Sequence, residues 1–332
     1  MVARTEDSKF TSWHFEIDRR LLAAVLLLIA IGVMYVISAG SVAAERIGQP
    51  WYFFFKKAVP FYFIGITTLV GASMLNKKWV MGISALNVAV GLLLLLVTFA
   101  MPHVIKGSAR FVSIGSFNIM PSDIMKPGFI IMTAWFLSRM KSEYGTDIFF
   151  NKAVWQFKKL SWWTYLAVFV PALFIIFRHP DVGTSALYCG VLAMMMFMAG
   201  LPGILVAGFL GIGVLGFITA FLTMSHVHGR VMAFVTGTGN TYQVRQSVQS
   251  IQHGGLLGSG DDAFVKESSP DAHTDFIYAA IVEDFGAIVA CVLLCALVYV
   301  LKRLTTDAMT SRNPFVFYAT GGAAILFGTQ VC

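Results

Sequence analysis

Between residues 270 and 286 the chain reads Pro-Asp-Ala-His-Thr-Asp-Phe-Ile-Tyr-Ala-Ala-Ile-Val-Glu-Asp-Phe-Gly. Asp271, His273, Thr274 and Asp275 crowd the start of an apolar run, where Asp271 or Thr274 can act as a helix N-cap. Asp275 stands at the edge of that run, and Glu283 and Asp284 follow roughly 12 Å deeper at the helical rise per residue. Carboxylates in so apolar a setting face a polar cavity or pathway, and the chemistry they offer is proton transfer. A second constellation spans 106–126. Pro121 fits the first turn of a helix, which sets Asp123 and Lys126 at i and i+3 on one face. An unpaired ammonium inside a membrane costs about 2.5–3.5 kcal/mol, so Lys126 needs a partner and Asp123 is the nearest. The pair either fixes the helix start or joins Lys106 and Arg110 in a basic rim for phosphate oxygens. In His179-Pro180-Asp181-Val182-Gly183-Thr184, a tight reversal, Asp181 either caps the next helix or lines an outward cavity. Tyr242-Gln243-Val244-Arg245-Gln246-Ser247 has helical composition and runs into Gly254-Gly255-Leu256-Leu257-Gly258-Ser259-Gly260. Those glycines permit tight turns and close approach to a ligand. His226-Val227-His228 has no third ligand nearby and makes a poor zinc site.

Which elements hold these residues follows from composition. Of 332 residues 57% are hydrophobic and 12% charged, and the mean hydropathy is +0.75. A soluble domain carries about 25% charge, so a soluble enzyme, a disordered chain and a disulfide scaffold are all excluded. The expected fold is all-α, a polytopic helical membrane protein. Apolar runs lie at about 21–40, 58–74, 80–101, 124–138, 160–177, 182–200, 204–224, 275–301 and 315–332, which makes nine spans. No cleavage site follows the first run, which is expected to stay as an anchor. The ninth stops without a polar flank, so a further C-terminal span is expected to be missing. With a cytoplasmic N-terminus the inner segments hold 14 Lys and Arg in 62 residues, against 9 in 93 outside, which favours that orientation. The expected organisation is one integral-membrane domain over 1–332, with a cytoplasmic segment 1–20 and a large extracytoplasmic loop 225–274. The net charge of +7 then reflects cytoplasmic loops rather than a nucleic-acid partner. Cys291 and Cys295, one turn apart, fit packing rather than a bridge. Phe53, Phe54, Phe55, Trp162 and Trp163 at span ends read as an interfacial aromatic belt.

Four separated places carry a resemblance: 106–126, the His-Pro-Asp-Val-Gly-Thr turn, the Tyr-Gln…Gln-Ser…Gly-Gly loop at 242–255, and 270–286. In their order and spacing the sequence resembles the SEDS family (shape, elongation, division, sporulation) of membrane peptidoglycan glycosyltransferases. It is more similar to the cell-division than to the rod-elongation type, in its alphaproteobacterial form. The resemblance implies ten spans with both termini inside, a place in the bacterial cytoplasmic membrane at the division septum, and polymerisation of lipid II on the outer face. Lipid II is the undecaprenyl-pyrophosphate-linked disaccharide-pentapeptide. A divalent cation (Mg or Mn), a class B penicillin-binding protein and other division-complex membrane proteins are implied as helpers. Asp275 matches the catalytic aspartate of the family. Arg110, Asp123, Lys126, Asp181 and Arg230 match its polar cavity, and Lys106, Gln243, His273 and Thr274 complete the candidate substrate-binding set. Asp181 and Glu283 are candidate metal ligands.

Three departures stand out. Asp123 replaces the usual Glu. Loop 258–269 has lost glycines and a basic residue and gained Asp261, Asp262 and Glu267. The closing Gly-rich segment and tenth span usual in the family are expected to be missing. Two other functions compete with the glycosyltransferase: a lipid-precursor flippase using Lys126, Glu283 and Asp284 as its polar pathway, and a non-catalytic division scaffold.

Overall fold

Asp18 opens the first long helix, its carboxylate accepting from the amides of Arg20 (3.0 Å) and Leu21 (3.1 Å). Such a cap satisfies N–H groups that have no partner within the helix. A computed structural model of the chain describes residues 17–100, 111–114, 117–145, 148–151, 182–236, 242–260 and 277–331, with isolated positions at 13, 15 and between 162 and 174. In order the elements are α1 (Arg19–Arg46), α2 (Phe53–Ser73), α3 (Lys77–Ala100), β1 (Val112–Ile114), β2 (Phe117–Ile119) and α4 (Pro121–Tyr144), followed by a 3-10 turn at Ile148–Phe150. Then come α5 (Val182–Met198), α6 (Gly203–Thr223), α7 (Ser225–Thr236), α8 (Tyr242–Gly254), α9 (Ile277–Thr310) and α10 (Pro314–Val331). The all-α expectation holds apart from one small antiparallel hairpin, in which Val112 faces Ile119 and Ile114 faces Phe117.

Eight of the nine apolar runs are helices here. In the remaining run, 160–177, every described residue is helical. Among the described residues five helices are long and apolar enough to cross a membrane: Arg19–Ser41, Phe53–Ser73, Lys77–Thr98, Gly203–Thr223 and Ile277–Thr310. Gly183–Met198 is a shorter apolar helix.

The chain forms two units. One comprises Met1–Met74 with Ile218–Val300, the other Leu75–Phe217 with Leu301–Cys332. In the second unit α4 packs on α3, α5 and α10. Lipid is as apolar as a protein core, so helices in a membrane associate through close packing, which small residues permit. Gly128 of α4 shows this: a Cβ there would meet the Ser84 carbonyl at 2.8 Å and Val88 Cγ2 at 3.0 Å. Gly322 of α10 likewise admits Ile130 and Met195, each 2.8 Å from where its Cβ would lie. Aromatic rings fill the rest. Phe136 stacks on Tyr165 (4.1 Å, 11°), Tyr165 on Phe169 (5.1 Å, 15°), and Phe129 meets Tyr188 edge-on at 4.9 Å. Trp162, read as part of an aromatic belt, instead lies in this core against Phe136 (5.1 Å), while its neighbour Trp163 is exposed.

In the first unit α1 packs on α2, and a smaller cluster gathers Tyr35 and Ala39 with Ala280, Ile281, Val282 and Ala290. Helix α9 contains one residue with non-helical geometry, Gly286 (φ 84, ψ 167). Such a conformation is essentially confined to glycine.

Candidate active site

Pro121 at the first turn of α4 and Asp123 beside it follow the ordinary chemistry of a helix start. One turn on, Lys126 Nζ lies 2.7 Å from Asp123 Oδ1; the lysine is nearly buried and the aspartate half-exposed. Asp123 is therefore the partner that Lys126 required. The turn bearing this pair is fixed from two neighbours. The Tyr188 hydroxyl of α5 donates to the Ser122 carbonyl (2.6 Å), and Asn87 Nδ2 of α3 donates to the Ile124 carbonyl (3.1 Å). The Lys126 side chain joins Phe129, Ile130, Leu187, Tyr188, Val191 and Leu326 in lining a small open crevice of about 10 Å³. An ammonium at an apolar surface is complementary to an anionic group.

In the first unit the two acidic residues of α9 turn inward. Glu283 is fully buried, with Oε1 3.4 Å from His253 Nδ1 of α8. Asp284 Oδ2 accepts a hydrogen bond from the Ser38 hydroxyl of α1 (2.6 Å). Both residues of α9 that the flippase reading needs are thus engaged in tying α9 to its own unit. The Gly-rich segment after α8 does make a close approach, but to the backbone of α9: a Cβ at Gly254 or Gly258 would run into the carbonyls of Val282 and Asp284. The sequence reading offered those glycines to a ligand.

Asp275, His273, Thr274, Asp181, Lys106 and Arg110 lie outside the described residues, as do the acidic positions Asp261, Asp262 and Glu267. Arg230 falls on α7 and Gln243 on the first turn of α8, while their side chains lie outside what is described. Of the sequence-derived set, the structure brings together Asp123 and Lys126 in one unit. In the other it joins Glu283 to His253, a residue the sequence reading did not single out. His253 sits one position before the glycines, and that adjacency was the available signal. Among the described residues no group of three His, Cys, Asp or Glu gathers that could hold a metal ion. Glu283, a candidate metal ligand, faces His253 of α8. His228 stacks on Phe221 (4.6 Å). Cys189, Cys291 and Cys295 are free thiols.

Long apolar helices, some packed through glycines, define a multi-pass helical membrane protein. A solved chain of a peptidoglycan synthase complex, studied for its coordination of polymerization and crosslinking, shares the fold: TM-score 0.70 and 18% identity, with 95% of this chain and 85% of that one covered. So does the rod shape determining protein RodA of Thermus thermophilus (TM-score 0.60, 18% identity, 95% and 83% covered). Residues 19–332 match the cell cycle protein family of FtsW, RodA and SpoVE, and the chain belongs to that family. A Caulobacter vibrioides protein named probable peptidoglycan glycosyltransferase FtsW is 29% identical over 334 residues, covering 99% of this chain and 82% of the relative. A Saccharophagus degradans protein of the same name is 31% identical over 336 residues, covering 95% and 81%. The alphaproteobacterial, division-type resemblance read from the sequence agrees with these relatives.

Proposed function

We propose that the chain is a peptidoglycan glycosyltransferase of the inner membrane that polymerises lipid II during division. The observation that carries this reading is Lys126, nearly buried and held by Asp123 at 2.7 Å beside a small apolar crevice, in a member of this family. Polymerisation joins a sugar hydroxyl of one substrate to the anomeric carbon of another. A C–O bond forms to the incoming oxygen, the C–O bond to the polyprenyl diphosphate breaks, and the hydroxyl proton must go to a base. Asp275 is assigned that base, a role typically contributing about 10²–10⁴-fold. Lys126, with Arg110 and Lys106, offsets the charge gathering on the departing diphosphate. Asp123 orients the ammonium, and Asp181, Arg230, Gln243, His273 and Thr274 contribute to substrate binding. A divalent cation, when bound, would supply further charge neutralisation at the diphosphate. A class B penicillin-binding protein, which crosslinks the new strand, is the proposed partner.

Polymerisation of lipid II by the purified protein tests this. Asp275→Ala is expected to insert and fold normally yet form no glycan, and normal strands from that variant would refute the assignment. Chelator added to the wild type reads out the cation.

A further inference from the structure

A break in an apolar helix leaves backbone N–H and C=O groups that lipid cannot satisfy, at several kcal/mol each. At Gly286 the segment following α8 supplies their partners. The Ser259 amide donates to the Glu283 carbonyl (2.7 Å), the Ala287 amide to the Gly255 carbonyl (2.9 Å) and the Ile288 amide to the Leu256 carbonyl (3.3 Å). Main chain fits against main chain because side chains are missing at Gly254, Gly258 and Gly286: a Cβ at the last would strike the Leu256 carbonyl. With its backbone turned inward, the segment leaves Leu256 and Leu257 71% and 82% exposed.

Side chains close the joint on two faces. The Ser259 hydroxyl donates to the His253 carbonyl (2.9 Å) and lies 3.1 Å from His253 Nδ1. Nδ1 also faces Glu283 Oε1, 3.4 Å away, and a hydrogen on that nitrogen serves the buried carboxylate. On the opposite side Ser38 of α1 holds Asp284 (2.6 Å). The nine residues Ile277–Phe285 therefore form a short arm, separated from the rest of α9 by the break and pinned near its base. In sequence, Asp275 lies two residues before the first residue of that arm.

We infer that His253 and Glu283 are positioning residues. They keep the glycine segment seated in the break at Gly286 and so fix the arm that follows the general base in sequence. This rests on the reading of Asp275 given above. Neither side chain is assigned any contact with substrate; their effect passes through the backbone. A reacting group displaced by 1 Å can cost about 10²-fold in rate, so an unpinned arm should slow the chemical step while leaving substrate affinity nearly unchanged.

The test uses the intact protein and lipid II, measuring kcat and KM for His253→Ala, His253→Asn and Glu283→Gln, with amide hydrogen exchange over 255–260 and 286–289. Asn keeps an N–H near the position of Nδ1. We expect His253→Ala and Glu283→Gln to raise exchange in both segments and lower kcat about 10- to 100-fold, with KM changed less than about threefold. His253→Asn should restore most of the rate and the protection. Raised exchange with undiminished kcat would overturn the proposal. So would a fall in kcat without any change in exchange, an unaffected His253→Ala enzyme, or an Asn variant no better than Ala. Polymerisation by Asp275→Ala would instead refute the functional reading, and the exchange results would still report on the joint.

Discussion

The two units are stabilised by different means. Around α4 the core is dense with Phe129, Phe136, Tyr165, Phe169 and Tyr188, and its helices close over Gly128 and Gly322. Around the first part of α9 the buried cluster is half alanine, with Tyr35, Ile281 and Val282, and order there depends on directed contacts: backbone in the Gly286 break, Glu283 to His253, Asp284 to Ser38. Packing spreads its energy over many weak contacts, whereas a hydrogen-bonded joint concentrates it in a few. The acidic residues of the two regions differ accordingly. Asp123 is half-exposed and serves its lysine, while Glu283 is fully buried and serves the architecture.

That contrast can be broken by substitution. Gly286→Ala should be among the most damaging single methyls in the described residues, costing about 3 kcal/mol or more, since it combines a disallowed φ with a collision against the Leu256 carbonyl. Thermal unfolding in detergent measures it, and a loss below 1 kcal/mol would remove the distinction between the units. Phe136→Ala should cost about 2 kcal/mol in the same assay. That is less than for a soluble core, because lipid offers the unfolded side chain an apolar surrounding and mainly the cavity is charged against folding. Ser38→Ala withdraws one donor from the buried Asp284 carboxylate and should cost about 1–2 kcal/mol. Asp123→Ala sharpens the comparison from the other side. Half-exposed as it is, its ion pair should contribute under about 1 kcal/mol to stability, yet glycan synthesis should fall because Lys126 loses its orientation. Melting and polymerisation rates together separate those two effects.

Hydropathy made the helices legible because apolar runs report the bilayer, but it stops where the bilayer stops. Helix α9 continues to Thr310, nine residues past the apolar run, on a polar turn where Arg303 meets Asp307 at 3.5 Å. Helix α4 extends both ways past 124–138 for the same reason. The hairpin was written in the sequence as Val112-Ser113-Ile114 and Phe117-Asn118-Ile119 across Gly115-Ser116, a two-residue link between alternating segments, each too short to stand out from its surroundings. Lys126 and Asp123 could be paired in advance because i,i+3 spacing is local. The meeting of His253 with Glu283 could not, since thirty residues separate them and only the fold joins them. The break at Gly286 was equally hidden: one glycine in an apolar helix looks like a packing site until a second chain segment is found seated in it.

The outward leucines of the glycine segment have a practical consequence for anyone purifying this protein. Because the main chain of 255–259 is committed inward, Leu256 and Leu257 stand bare side by side, and no local rearrangement can hide them without releasing the joint. Once extracted, the molecule will have them covered by surfactant or by another copy of itself. The choice of detergent is therefore a variable that acts directly on this segment, and preparations that clump should be rescued first by longer acyl chains rather than by salt.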